Sequence, residues 1–367
     1  LELTKDFLFG LQFFGALYAV CYLISYVSLG VFSVRALRIY NKKKPFAYNE
    51  ILKKSEHTLG VSIIAPVYNE SETAIYSIKS LLAQEYAKFE VIIVNDGSTD
   101  NTLELISTVF QLEQIPYYKP SQIPTQKIKG CYRSKNPAYS RLMVLDKVNG
   151  GSKADASNAG INASNYPIFI CTDGDSILRK DSIAQLIRPF IEEKTRVIAT
   201  GAMIRISNAC VFTDGALTQS NFPSNFLARF QELEYIRSFL FGRMALGHIN
   251  SLLLVSGGLG MFDKEIVIKA GGYWHKSLGE DLELVTRMRI FMHEQKEEFL
   301  VDYIPETLCW TEVPSNLNIF IRQRARWGRG LVQTLFQHRN TLGSPMYGRT
   351  GLLAVPYFFF LSSVSLY

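Results

Sequence analysis

The 367-residue sequence is poor in cysteine. Cys21, Cys131, Cys171, Cys210 and Cys309 are odd in number and widely scattered. No pair has the short spacing of a zinc site or a redox motif, so a reducing compartment is the simpler inference. The GxxxxGK[ST] loop of the P-loop nucleotidases is missing. No internal repeat or low-complexity tract is present, which argues against a repeat array or a disordered scaffold. "GGLGMF" (257–262) follows no first strand where a dinucleotide loop needs one. It reads as a tight turn permitting close ligand approach.

Charge is also missing, locally, from Phe7 to Val34. These 28 residues have only Gln12 as a strong polar interruption, and a membrane helix needs about 20. The shorter apolar core and small-residue cleavage site of a secretory signal are not evident. Arg35, Arg38, Lys42, Lys43 and Lys44 follow directly, whereas before the run Lys5 alone faces Glu2 and Asp6. By the positive-inside rule, everything after residue 35 is expected in the cytoplasm. The last stretch, "YFFFLSSVSLY", is apolar again but short. It is expected to begin another membrane helix of a longer parent chain.

What is abundant fits that picture. Hydrophobic residues make up 47% and aromatics 13%, rich for a soluble protein, and the formal charge of +6 suits an anionic partner or membrane surface. The basic residues cluster beside the apolar run and at 322–329, where lipid and diphosphate account for them better than nucleic acid.

Along the chain, "GVSIIAPVYNE" reads as a buried strand, Val61 to Val67, running into a polar loop, with a helix over 71–84. "FEVIIVNDGSTDNT" repeats the design with a strand at 91–94 and a helix over 101–112. "YPIFICTDGDS" is another strand ending in acid, and 196–206 a further strand. Residues 115–152, with four prolines and many basic residues, read as loop; 226–246 and the Arg-rich 315–339 read as helices. Strands alternating with helices predict a mostly parallel α/β sheet covered on both faces. Ligands gather beyond the carboxyl ends of such strands, and here those ends carry Glu70, Asp96, Asp173 and Asp175.

Taken singly, "DGS" (96–98) and "DGD" (173–175) are common turn sequences. Their shared place at strand ends points elsewhere. Neighbouring carboxylates repel unless protonated or bridged by a cation. Mg²⁺ or Mn²⁺, completing its shell with phosphate oxygens, is the economical partner. Lys153, in "GGSKADASNAG", reads either as a surface lysine or as a group that neutralises phosphate or pairs with a nearby acid.

"APVYNE", "VNDGSTDNT", "GGSKADASNAG", "TDGDS", "GEDLEL" and "RQRARW" occur in order over roughly residues 60–330. This set resembles the membrane-bound family-two glycosyltransferases, a group that includes the cellulose, hyaluronan and poly-N-acetylglucosamine synthases. The resemblance implies a GT-A-type nucleotide-sugar-binding domain. It implies that Tyr68 and Glu70 border the nucleoside, that Asp96 recognises the base and that Lys153 lies near the nucleotide. Asp173 and Asp175 match the DxD pair, with Asp175 the better metal ligand. Asp281 matches the catalytic base, with Glu280 beside it; without the resemblance, the pair reads as acids favourable at a helix start. The motif begins GED where many relatives have TED. Gln323, Arg326 and Trp327 carry the QxxRW spacing of processive members and share one helical face. The arginine is expected to stabilise the departing diphosphate and the tryptophan to stack on an acceptor sugar. The flanking Arg322, Arg324 and Arg329 read as neighbours of anionic lipid.

The expected organisation is an N-terminal transmembrane helix (1–35), a cytoplasmic GT-A domain (36–314), an amphipathic interfacial region (315–345) and the start of a C-terminal membrane region (346–367). The expected activity is inverting, metal-dependent transfer of a hexose or N-acetylhexosamine, with a UDP-sugar as donor. The acceptor is a growing polysaccharide at the cytoplasmic face of the cell membrane. The alternatives are a single transfer to a glycolipid acceptor and an inactive nucleotide-sugar-binding subunit of an export complex. Other export-complex subunits are possible partners.

Overall fold

The computed structural model describes residues 2–43, 52, 55, 57–213 and 216–362. Lys44 and residues 363–367 of the last apolar stretch lie outside them. Helix α1 (Glu2–Lys42) includes a segment, Leu8–Lys42, long and apolar enough to cross a membrane by length and composition. Its second half meets the rest of the protein: Ser33 donates to the Leu240 carbonyl at 2.6 Å, and Tyr26 packs on Phe241 at 4.5 Å.

The strands are β1 (Val61–Val67), β2 (Phe89–Asn95), β3 (Leu112–Ile115), β4 (Ile128–Ser134), β5 (Leu142–Lys147) and β6 (Ile168–Thr172), then β7 (Ile177–Leu178), β8 (Arg196–Ile206), β9 (Cys210–Thr213), β10 (Ala216–Ser220), β11 (Leu259–Asp263) and β12 (Phe299–Thr311). Ten form one sheet in the order β3-β4-β5-β2-β1-β6-β11-β8-β12-β7, while β9 and β10 pair separately. The block β5-β2-β1-β6 is parallel, as is the β8–β12 pair. The remaining pairings in this sheet are antiparallel, so the whole is mixed. Burial on both faces explains why β1, β2 and β6 read as continuous apolar runs.

The 115–152 stretch corrects the loop expected there, because it contains β4 and β5. In β4, exposed and half-buried polar residues interrupt the apolar signal, and the nearby prolines sit in the connections. β5 is short but almost wholly buried beside β2.

Helices α2 (Ala74–Leu82), α3 (Thr102–Val109), α4 (Lys153–Ala163), α5 (Phe226–Ile236), α6 (Glu280–Glu294) and α7 (Leu317–Gln337) are the longer helices of the domain. α4 is made largely of Ala, Gly, Ser and Asn, which lets it lie close on the sheet. A Cβ on its Gly160 would come within 2.3 Å of Ile64 in β1. α5 continues through a π-helical stretch, Arg237–Arg243, into a short helix, Met244–His248. Such π segments recur at functional sites.

The chain leaves β1 toward β2 and β5, then returns through α4 to place β6 on β1's other side. The order reverses between β1 and β6, and a crevice at their carboxyl ends is the usual ligand position in open α/β sheets.

Candidate active site

The crevice is part of a cavity of about 870 Å³ whose lining includes all eleven residues singled out in the sequence. One wall is built from loops at strand ends. After β1, Asn69 turns the chain in the left-handed region (φ 55°), a conformation asparagine tolerates. Its side-chain oxygen accepts from Thr99 N–H at 2.8 Å, and its own N–H donates to Ser98 Oγ at 3.0 Å. Glu70 N–H donates to Thr102 Oγ1 at 3.0 Å. The loop carrying Tyr68 and Glu70 is thereby stitched to the one carrying Asp96. Gly97 has φ 66°, and a Cβ there would lie 2.8 Å from Asn149 N, so glycine is required. "DGS" therefore needs its glycine for the chain to pass Asn149, and it also sets Asp96 at the cavity edge.

Asp96 is buried against a lysine that the sequence reading passed over. Lys147 ion-pairs with Asp96 and also, at 2.5 Å, with Asp155. Lys153 opens α4, whose N-cap Ser152 accepts from Asp155 N–H. Its ammonium pairs with Asp173 and donates to the Gly257 carbonyl at 2.8 Å. Burial alone would lower the Lys153 pKa, but Asp173 and other nearby anionic groups outweigh it and hold it well above the usual range.

Gly174 sits between the two DxD acids, and a Cβ on it would lie 2.8 Å from the Pro66 carbonyl of β1. Only glycine lets β6 deliver both acids into the crevice. Burial, then Asp173 and Glu70, push Asp175 up to about 7. Its Oδ1 is buried without a hydrogen-bond partner among the described residues. A carboxylate crowded by like charge and holding an unused buried oxygen suits a divalent cation. Asp173 is already tied to Lys153, so Asp175 is the freer ligand. Among the described residues no group of three or more His, Cys, Asp or Glu is arranged to enclose a metal. The donor set thus suits an open site completed by oxygens of another molecule.

The opposite wall is built from helix ends. Glu280 and Asp281 start α6, where the helix dipole favours acids. A Cβ on Gly257 would come within 2.2 Å of Asp281 Oδ2, and one on Gly258 within 3.2 Å of Asp173 Oδ2. The close approach expected at "GGLGMF" is therefore made by the protein's own acids. Burial pushes the Asp281 carboxyl up, against the pull of Lys153, and Asp173 pushes it further. Burial, then Asp281, take Glu280 up to about 7. Arg243, at the end of the π stretch, lines the cavity, donates to the Val255 carbonyl at 2.8 Å and acts on Asp281 through space.

α7 docks on the start of α6 through a glycine pair. A Cβ on Gly330 would lie 2.5 Å from Gly279 N, so two backbones touch where any side chain would part them. Gln333 reinforces the joint, accepting from Leu278 N–H at 3.0 Å and donating to the Lys276 carbonyl at 3.0 Å. This contact brings Gln323, Arg326 and Trp327 to the cavity containing Asp281. Gln323 Oε1 is buried with no partner among the described residues, while Arg326 and Trp327 are exposed. Arg324 corrects the lipid-facing expectation. It is buried, pairs with Glu234 of α5 at 2.5 Å and stacks on Trp327 at 4.6 Å. Arg322 and Arg329 are exposed.

Comparison with known proteins fits this architecture. The profile described as glycosyl transferase family 2 matches residues 62–252, just over half of the chain. The chain belongs to glycosyl transferase family 2. A second profile, glycosyl transferase family group 2, matches residues 168–367. Among curated relatives, a poly-β-1,6-N-acetyl-D-glucosamine synthase of Staphylococcus epidermidis is 31% identical over 302 residues, 81% of this chain and 60% of its own length. One from Staphylococcus aureus is 27% identical over 349 residues, 92% of this chain and 71% of its own. The chain thus spans less than two thirds of the length of the first of these relatives. Among solved structures, a mannosyltransferase of Pyrobaculum calidifontis, in complex with GDP-Man and Mn²⁺, aligns with a TM-score of 0.59 at 18% identity, covering 95% of this chain and 84% of that one. That likeness places the fold in the GT-A type.

Proposed function

We propose that this chain transfers a hexose or N-acetylhexosamine from a nucleotide-diphosphate sugar, with UDP as the carrier, to a hydroxyl of a growing polysaccharide, inverting the anomeric centre. The observation carrying this reading is one cavity with a DxD pair, its Asp173 braced by Lys153, on one wall and a half-buried acid at a helix start on the other. The similarity to poly-N-acetylglucosamine synthases supports an N-acetylhexosamine donor.

Tyr68, Glu70 and Asp96 hold the nucleoside, and Lys153 neutralises diphosphate charge. Asp175, with Asp173, would hold Mg²⁺ or Mn²⁺, which when bound supplies positive charge to the leaving diphosphate. Asp281 accepts the proton of the acceptor hydroxyl as its oxygen attacks the anomeric carbon and the bond to the diphosphate oxygen breaks. Its upward-shifted pKa makes it a stronger base than an ordinary carboxylate. Arg326 stabilises the departing charge, Gln323 accepts from a sugar hydroxyl and Trp327 offers a stacking face. The displacement is single and forms no sugar–enzyme bond. Residues 1–35 anchor the domain with its catalytic face in the cytoplasm, and α7 lies at the membrane surface.

A second reading, transfer of one sugar to a lipid, is favoured by the cavity wall that Tyr22, Tyr26, Tyr357 and Phe358 contribute. Incubating the membrane-reconstituted protein with UDP- and GDP-sugars, with and without Mn²⁺, and sizing the product decides between them. Long, Mn²⁺-stimulated chains from a UDP-sugar are expected; a product one sugar longer than the acceptor sinks the polymer reading.

A further inference from the structure

Lys147 closes β5, is fully buried, and has no part in the chemistry above. Burying an ammonium is costly unless it is paired and hydrogen-bonded, and this one is engaged three times. It ion-pairs with Asp96 Oδ1 and with Asp155 Oδ2, and donates to the Val148 carbonyl at 2.7 Å. Asp96 Oδ1 also accepts from Gly150 N–H at 3.0 Å. One oxygen of Asp96 is thus held twice within the protein, fixing the carboxylate plane at the cavity edge. Asp155 is the third residue of α4 and accepts from Gln126 N–H at 3.1 Å. Two residues earlier, Lys153 opens the same helix and reaches Asp173. One buried cation therefore ties the cavity's Asp96 edge to the helix start that serves its DxD edge.

We infer that Lys147 is a positioning residue for the donor nucleotide. It aims Asp96 as a hydrogen-bond acceptor for the base and, through Asp155, holds α4 so that Lys153 meets the diphosphate. This rests on the reading of Asp96 as the base contact. The chemistry predicts a selectivity. A carboxylate accepts hydrogen bonds only. It favours uracil, whose pairing edge carries a ring N–H, over cytosine, whose corresponding ring nitrogen is itself an acceptor. Without Lys147, Asp96 and Asp155 lose their shared cation and repel, and the aim of Asp96 is lost.

A purely structural lysine would lower stability without changing which base is preferred. The test is therefore binding of UDP and CDP to the full chain in detergent, by calorimetry, alongside donor kinetics. The wild type is expected to prefer UDP by at least about tenfold, as befits a hydrogen bond to a charged group. Lys147→Met should bring that preference within about threefold and raise the donor KM more than it lowers kcat. Lys147→Gln, smaller in its change and still a donor, should fall between and gives the reading if the first variant does not fold. Survival of the full preference in a folded Lys147 variant, with its loss in Asp96→Asn, would overturn the proposal. No preference in the wild type, or its survival in Asp96→Asn, would overturn the Asp96 reading instead.

Discussion

The two walls of the cavity are made differently. On the strand-end wall, two acids are matched by buried or half-buried ammonium groups, Lys147 on Asp96 and Lys153 on Asp173. On the helix-end wall, Glu280 and Asp281 feel Lys153 and Arg326 through space, and burial drives both carboxyls up. The first arrangement is preorganised to hold an anionic ligand of fixed shape. The second stores an acid–base group in a poorly solvated place, the usual means of making a carboxylate a competent base. Under the proposed function, holding and reacting fall to separate parts of one cavity.

Substitutions should break that division in order of size. Asp281→Asn removes the proposed base, and transfer should fall by about 10²–10⁴-fold, read as radiolabelled sugar incorporated. Arg326→Ala removes the proposed leaving-group stabilisation; kcat should drop about 10²-fold or more with a smaller change in donor KM. Gly330→Ala touches no substrate, yet its methyl group would meet the Gly279 backbone. α7 must shift, and a displacement near 1 Å is enough for about a 10²-fold loss at most. Retention of wild-type kinetics there would remove the glycine pair from the account.

The smallest effect concerns stability. Asp175 has its folded pKa raised to about 7, so the native state binds more protons than the unfolded chain between about pH 4 and 7. Its contribution therefore makes stability fall as pH rises through that window. Asp175→Asn should raise Tm by about 2–4 °C at pH 8 and leave it unchanged near pH 3. Melting curves at the two pH values test the sign.

The walls also differ in how legible they were. The strand-end acids announce themselves locally, because a fully buried strand is a continuous apolar run and its abrupt end in Asp-Gly is visible in one short window. The helix-end wall does not. Glu280–Asp281 alone is indistinguishable from an ordinary helix start, and the ordered resemblance was needed to single it out. Contacts that exist only in three dimensions went unread: the Gly279–Gly330 touch, Arg243 beside Asp281, and Arg324 turned inward to Glu234. Lys147 was missed for a different reason. It ends a short buried strand set among prolines and basic residues, and its burial depends on two acids 51 residues before and eight after it in the chain. A lysine closing the apolar "LMVLDK" was the available signal.

The most direct test of the division between walls is UDP affinity in one variant from each, measured on the same detergent-purified protein with Mn²⁺ present. Lys153→Met should weaken UDP binding by about tenfold or more, since a charge-assisted contact is lost. Asp281→Asn should leave UDP affinity at or above the wild-type value while transfer is lost. Equal weakening of UDP binding by the two substitutions would contradict the account.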